Sequence, residues 1–340
     1  MKKEIQTKIN LGIEILRFIL CFWIITIHCS KIKQSHAKYL SKGFHVPTFI
    51  LISFFFYFPI IRGKIINKII SRFQRLLIPY LIWPFIVLII NNIALSVYIY
   101  GDMLKHITIK DIFTQILIGC KIHAIFWFQF NLIFLSLFFT IFAFIFNNHL
   151  LKVIIFSGII SFFLHISTLN YIFFIKYKKY FGTNMGSIIE LFPMAAMGSI
   201  ISSKYDDFKK KYISIFLYFI LASIIFILFQ YNIFLYQPGL RYSNVSLNIF
   251  ASTNLFLFFS SLSFEKIKNE KYILLIRNFT NFTGGIYYIH HIIRDYLRKY
   301  TIFFKKRSYS SALIIYVICY FVCFIGSKSF KNYKLKYLFL

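Results

Sequence analysis

The first apolar run of the chain, Leu11 to Ser30, carries three ionisable side chains, Glu14, Arg17 and His28. Between Arg17 and His28 every residue is apolar except Thr26. A helix of that composition belongs in lipid, where ionisable groups are costly and mark function. Eleven positions separate Arg17 from His28, about three helical turns, so they fall about 20° from one common face. Along the axis they stand about 16 Å apart, half the hydrocarbon thickness of a bilayer. One helix face thus holds a cation near one membrane surface and an imidazole towards the other. A mere anchor has no use for that arrangement.

The rest of the chain agrees with a lipid setting. Of 340 residues, 59% are hydrophobic and only 14% charged, too few charges to cover a soluble domain of this size. The expected fold is an all-α, polytopic transmembrane bundle of about ten helices, in a single domain over residues 1–340. The first run has no small-residue cleavage site and reads as a retained helix rather than a signal peptide. Apolar runs fall near 11–30, 45–61, 76–99, 124–146, 152–174, 185–203, 212–230, 246–264, 280–303 and 310–326. An even number of crossings puts both termini on one side, and the Lys-rich ends make that side the cytoplasm. Neither internal repeats nor an inverted duplication of the transporter kind stands out.

A net charge of +29 suggests nucleic acid in a soluble protein. Here Lys and Arg sit in short segments between apolar runs, so the expected partners are anionic lipid headgroups, and no basic domain is left over for nucleic acid. The five cysteines show no Cys-x-x-Cys spacing, so neither a zinc site nor a disulfide framework is indicated, and no metal is expected.

Four further groups of residues carry chemistry. Glu14 and Arg17, one turn apart, can pair and lower the cost of burying each other. Arg72 and Arg75, also one turn apart, follow the second run in a basic segment at the membrane boundary, suited to gripping phosphate. Glu190 is an acid in an apolar run. Tyr287, His290 and Trp127 are candidates for the acceptor side, with His291 beside His290 leaving that assignment ambiguous.

The order of these motifs resembles the membrane-bound acyltransferase-3 family. Glu14-x-x-Arg17 with His28, and then Val46-Pro47-Thr48-Phe49 running to Ser53, is similar to the family's opening. Arg72-Phe73-Gln74-Arg75 with Leu77-Ile78-Pro79-Tyr80 resembles its Arg-x-x-Arg loop and Pro-Tyr span. Phe126-Trp127-Phe128, Phe192-Pro193 through Gly198, and Gly285-Ile286-Tyr287-Tyr288-Ile289-His290 follow in the expected order. Phe54 departs from the glycine usual after Ser53.

The resemblance implies transfer of an acyl group, commonly acetyl, from cytoplasmic acyl-CoA to a hydroxyl of a surface or capsular polysaccharide or a lipid-linked sugar, in the inner membrane of a bacterium. It implies that Arg72 and Arg75 hold donor phosphates or shape the donor mouth, that Glu14 and Arg17 orient the first helix, and that His28 is a general base or an acyl carrier. Tyr287, His290, Glu190 and Trp127 would serve the substrate. The competing reading is a glycan transporter or flippase, which would want Gly/Pro-broken helices in repeated halves.

Overall fold

The computed structural model describes residues 11–29, 45–94, 109–119, 126–166, 184–205, 244–262, 276–300 and 309–340, with isolated positions from 207 to 224. In chain order the α-helices are α1 (Leu11–Cys29), α2 (His45–Arg62), α3 (Ile66–Ala94), α4 (Ile109–Ile118), α5 (Phe126–Ile145), α6 (Leu150–Ile166), α7 (Asn184–Ser203), α8 (Asn244–Ser261), α9 (Thr283–Tyr300) and α10 (Tyr309–Ser329). A 3-10 turn at Asn147–His149 links α5 to α6, and another at Lys334–Leu338 follows α10. No strand occurs among the described residues. The protein is a helical membrane bundle.

Six stretches among the described residues are long and apolar enough to cross a bilayer: Leu11–His28, His45–Arg62, Ile66–Ile90, Phe126–Ile145, Asn147–Leu164 (the 3-10 turn together with α6) and Tyr309–Ser329. Their outward faces carry Ile19, Ile89, Phe144, Phe163 and Phe321, all exposed. Water would penalise such a surface and lipid does not. Helices α7, α8 and α9 lie on the sixth, eighth and ninth expected runs. The seventh run, 212–230, falls outside the described residues apart from isolated positions. The short helix α4 corresponds to no expected span.

The boundary between the second and third runs differs from expectation. The basic segment is no loop: α2 ends in a tight turn and α3 starts at once, so Arg72 and Arg75 lie on a helix. The Lys64 amide donates to the Ile61 carbonyl and the Ile65 amide to the Ile60 carbonyl, each at 3.0 Å. Lys64 takes the left-handed conformation with φ 49°. This pair of bonds closes a helix in the Schellman manner, with lysine where glycine is usual. Arg72 therefore sits six residues inside α3, about 9 Å from its start.

Small residues set the closest helix contacts, as in membrane bundles generally. A Cβ on Gly198 of α7 would lie 2.3 Å from the Leu51 carbonyl oxygen of α2, and one on Gly158 of α6 would lie 2.8 Å from the Ala196 Cβ of α7. Close approach to α2 is thus provided by Gly198. Phe54 is free to be large: it is fully buried, with its ring centroid 4.5 Å from that of Phe139.

Helices α1 and α9 run parallel. Arg17, early in α1, bonds to Thr283 at the start of α9, and Arg298 late in α9 donates to the His28 carbonyl at 2.8 Å. Chain segment 334–340 closes the same end as Thr283, because Phe339 and Leu340 backbone atoms lie against Gly285 and Gly284. The start of α1 and segment 334–340 therefore share one end of the bundle.

Candidate active site

A cavity of about 680 Å³ opens between α1, α2, α3, α5 and α9. Glu14, Arg17, Arg72, Arg75, Tyr287 and His290 all line it, which brings six of the nine residues singled out in the sequence to one space. His28, Trp127 and Glu190 are not part of its wall.

Arg17 is held by both of its terminal nitrogens. Nη1 reaches the two Glu14 carboxylate oxygens at 3.2 and 3.1 Å, and Nη2 donates to Thr283 Oγ1 at 3.0 Å. The Thr283 hydroxyl spends its own proton on the Thr280 carbonyl, so its lone pair points to the guanidinium. The i, i+3 spacing that suggested the Glu14–Arg17 pair is realised as a salt bridge.

Arg72 is fixed more firmly still. Its Nη2 donates to Ser53 Oγ at 2.8 Å, and Nε and Nη2 both reach Ser136 Oγ at 3.1 Å. The ring centroid of Tyr57 lies 4.1 Å from the guanidinium carbon, a cation–π contact that suits a planar cation out of water. Ser136 gives its proton to the Leu132 carbonyl, which leaves its oxygen to accept from Arg72. Arg72 thereby clamps α3 to α2 and α5, while its Nη1 has no hydrogen-bond partner among the described residues. Arg75, one turn on, is exposed, and its Nε donates only to its own helix at Ser71 O. Both of its terminal nitrogens remain for a ligand. The two arginines share a helix and a cavity but not a bonding pattern: Arg72 is tied to two other helices and Arg75 to its own.

Pro79, one turn after Arg75, lines the cavity and has no N–H to give to the Arg75 carbonyl. Gln129 Nε2 meets the Leu76 carbonyl there at 2.8 Å. Phe128 also lines the cavity and packs on Tyr287 with ring centroids 5.3 Å apart. Its neighbour Trp127 is half-buried and outside the cavity wall, so in the Phe126-Trp127-Phe128 run the cavity side belongs to Phe128, followed by Gln129.

At the far end of α1 the exposed His28 meets α9. Its ring centroid lies 4.3 Å from that of His291 and 5.5 Å from that of His290, and His290 and His291 are 4.4 Å apart. Both α9 histidines are buried. His290 Nδ1 lies 3.1 Å from the Ile286 carbonyl, so that nitrogen carries the hydrogen and Nε2 presents a lone pair. His290 lines the cavity, and so joins it to His28.

Glu190 stands on α7, away from the cavity, with no ion-pair partner among the described residues. The sequence did not single out Ser53, Ser136, Thr283, Phe128 or Gln129 as site residues. Ser136 and Thr283 carried no local signal, since each acts through an arginine far away in the chain.

A family model described as an acyltransferase domain matches residues 10–328. Neither a curated protein nor a solved structure matches the chain. The match covers α1 through nearly all of α10, the whole frame that builds the cavity, and the chain belongs to the acyltransferase-3 family of membrane acyltransferases.

Proposed function

We propose that this acyltransferase moves an acyl group, most simply acetyl, from cytoplasmic acyl-CoA to a hydroxyl of a surface polysaccharide or its lipid-linked precursor. The observation that carries this reading is the single cavity that has Arg17, Arg72 and Arg75 in its wall together with His290, the neighbour of His28. The cationic wall suits the phosphates of a coenzyme A donor. Arg75, with two terminal nitrogens unspent, grips phosphate, and the clamped Arg72 shapes the wall and offers Nη1. The cavity wall runs from charged to aromatic side chains, which suits a phosphate end and an apolar thioester arm. No metal is required for this transfer.

At the other end His28 acts as general base. Its ring nitrogen takes the acceptor hydroxyl proton as the oxygen attacks the thioester carbonyl. The C–S bond then breaks, the thiolate leaves, and the imidazolium returns its proton to the thiolate. Glu14 and Arg17 hold α1 against α9 so that the His28 ring stays beside His290. Tyr287 and Phe128 offer aromatic faces to the acceptor. The side that holds segment 334–340 and the start of α1 is the cytoplasmic one, in a bacterial inner membrane.

The test is the O-acyl content of the cell-surface glycan, read by NMR, with and without the protein. Acyl resonances that appear only with the protein support the reading. Identical glycans in the two strains, with the protein present in the membrane, reject it.

A further inference from the structure

We propose that His28, His290 and His291 form a binding site for a divalent transition-metal ion of the zinc type, and that the bound ion takes His28 out of action. The site rests on geometry. One ligand nitrogen from each of the three imidazoles lies within 4.8 Å of the others. A tetrahedral zinc with bonds of about 2.0–2.1 Å needs its nitrogens about 3.3 Å apart. The exposed His28 side chain has room to rotate towards the other two. His28 comes from α1 and the other two from α9, so the ion would join two helices distant in sequence.

Two features suit the ligand set to a metal. The His290 Nδ1–H bond to the Ile286 carbonyl orients its ring and leaves Nε2 to coordinate. Metal-ligating histidines almost always carry such an outer partner on the other nitrogen. The Arg298 bond to the His28 carbonyl pins the end of α1 where its imidazole must stand. The all-nitrogen set excludes magnesium and calcium, which want oxygen ligands. Imidazole suits zinc, copper and nickel. Three protein ligands leave a tetrahedral ion one position for water.

The effect on activity rests on the proposed role of His28. Coordination uses the His28 lone pair that would accept the hydroxyl proton, so metal slows transfer and a chelator restores it.

The experiment separates the two claims by reading binding directly. Full-length protein is purified in detergent with an affinity tag free of histidine, stripped with chelator, and titrated with zinc chloride and with cobalt chloride. The expected result is about one ion per chain, with visible d–d bands for tetrahedral cobalt. Binding should weaken by about 100-fold or more in His291→Ala and in His28→Ala, since loss of even an outer partner of a ligand costs about 10–100-fold. His291→Asn serves as a second variant, and unchanged elution and thermal midpoint without metal show that each variant is folded. No zinc binding by the stripped wild-type protein overturns the proposal, and so does binding that survives both alanine variants. Transfer assays on the same samples form a second arm. Metal binding without inhibition keeps the site and removes His28 as base, whereas inhibition lost in His291→Ala supports both.

Discussion

The Arg17 guanidinium donates to the Thr283 hydroxyl at 3.0 Å, across 266 positions of chain, and this bond ties the first helix of the bundle to the ninth. It converts a charged residue inside an apolar helix into a cross-helix joint. The same two helices meet again at His28 and Arg298, so α1 cannot shift along α9 without breaking contacts at both ends.

Thr283→Val should lower stability, because Arg17 loses one partner in a partly buried setting. A hydrogen bond to a charged group contributes about 1.5–3 kcal/mol. Thermal unfolding in detergent should show the loss, and Arg17→Lys should show it too, since a point cation cannot reach Glu14 and Thr283 in one plane. The double variant should be less destabilised than the two single effects added together.

Arg72 and Arg75 should separate cleanly. Arg72→Ala removes a cation bonded to Ser53 and Ser136 and stacked on Tyr57, so the thermal midpoint should drop sharply. Arg75→Ala removes an exposed side chain whose described bond is to its own helix, so the midpoint should hold while KM for acyl-CoA rises, by about tenfold for one lost charged contact of about 1.4 kcal/mol. Equal loss of stability in both variants would show that Arg75 is structural as well.

Gly198 and Gly158 should rank by what a new methyl meets. Gly198→Ala drives a Cβ into the Leu51 backbone, which has nowhere to go, whereas Gly158→Ala meets only the Ala196 methyl. Overpacking of this kind costs about 1–3 kcal/mol, and Gly198→Ala should lie at or above the upper end. Unfolding midpoints of the two variants check the order.

What was legible in the sequence were features confined to one helix. The Glu14–Arg17 pair lies one turn apart, and the apolar runs report lipid exposure directly, so both were readable. The placement of Arg72 was not. Hydropathy penalises the charges between Ile66 and Arg75 and starts the third span late. In the folded chain Arg72 enters the bundle because Ser53, Ser136 and Tyr57 from other helices receive it, while Lys68 and Arg75 stay exposed. Likewise His28 and the pair His290 and His291 lie at opposite ends of the chain, and only the parallel packing of α1 on α9 brings the three imidazoles together. The order of short motifs foretold the family, while the different bonding of Arg72 and Arg75 required their partners to be seen.

The central claim is that a cytoplasmic donor and an outer acceptor meet through the cavity between α1 and α9, with His28 completing the transfer. The most direct measurement uses sealed inside-out vesicles, with acetyl-labelled acetyl-CoA supplied outside and glycan acceptor enclosed in the lumen. Wild-type protein should move label onto the enclosed glycan, and His28→Ala, present at the same level in the membrane, should move none. Label reaching the glycan at an undiminished rate in His28→Ala would contradict the account, as would wild-type vesicles that leave the glycan unlabelled.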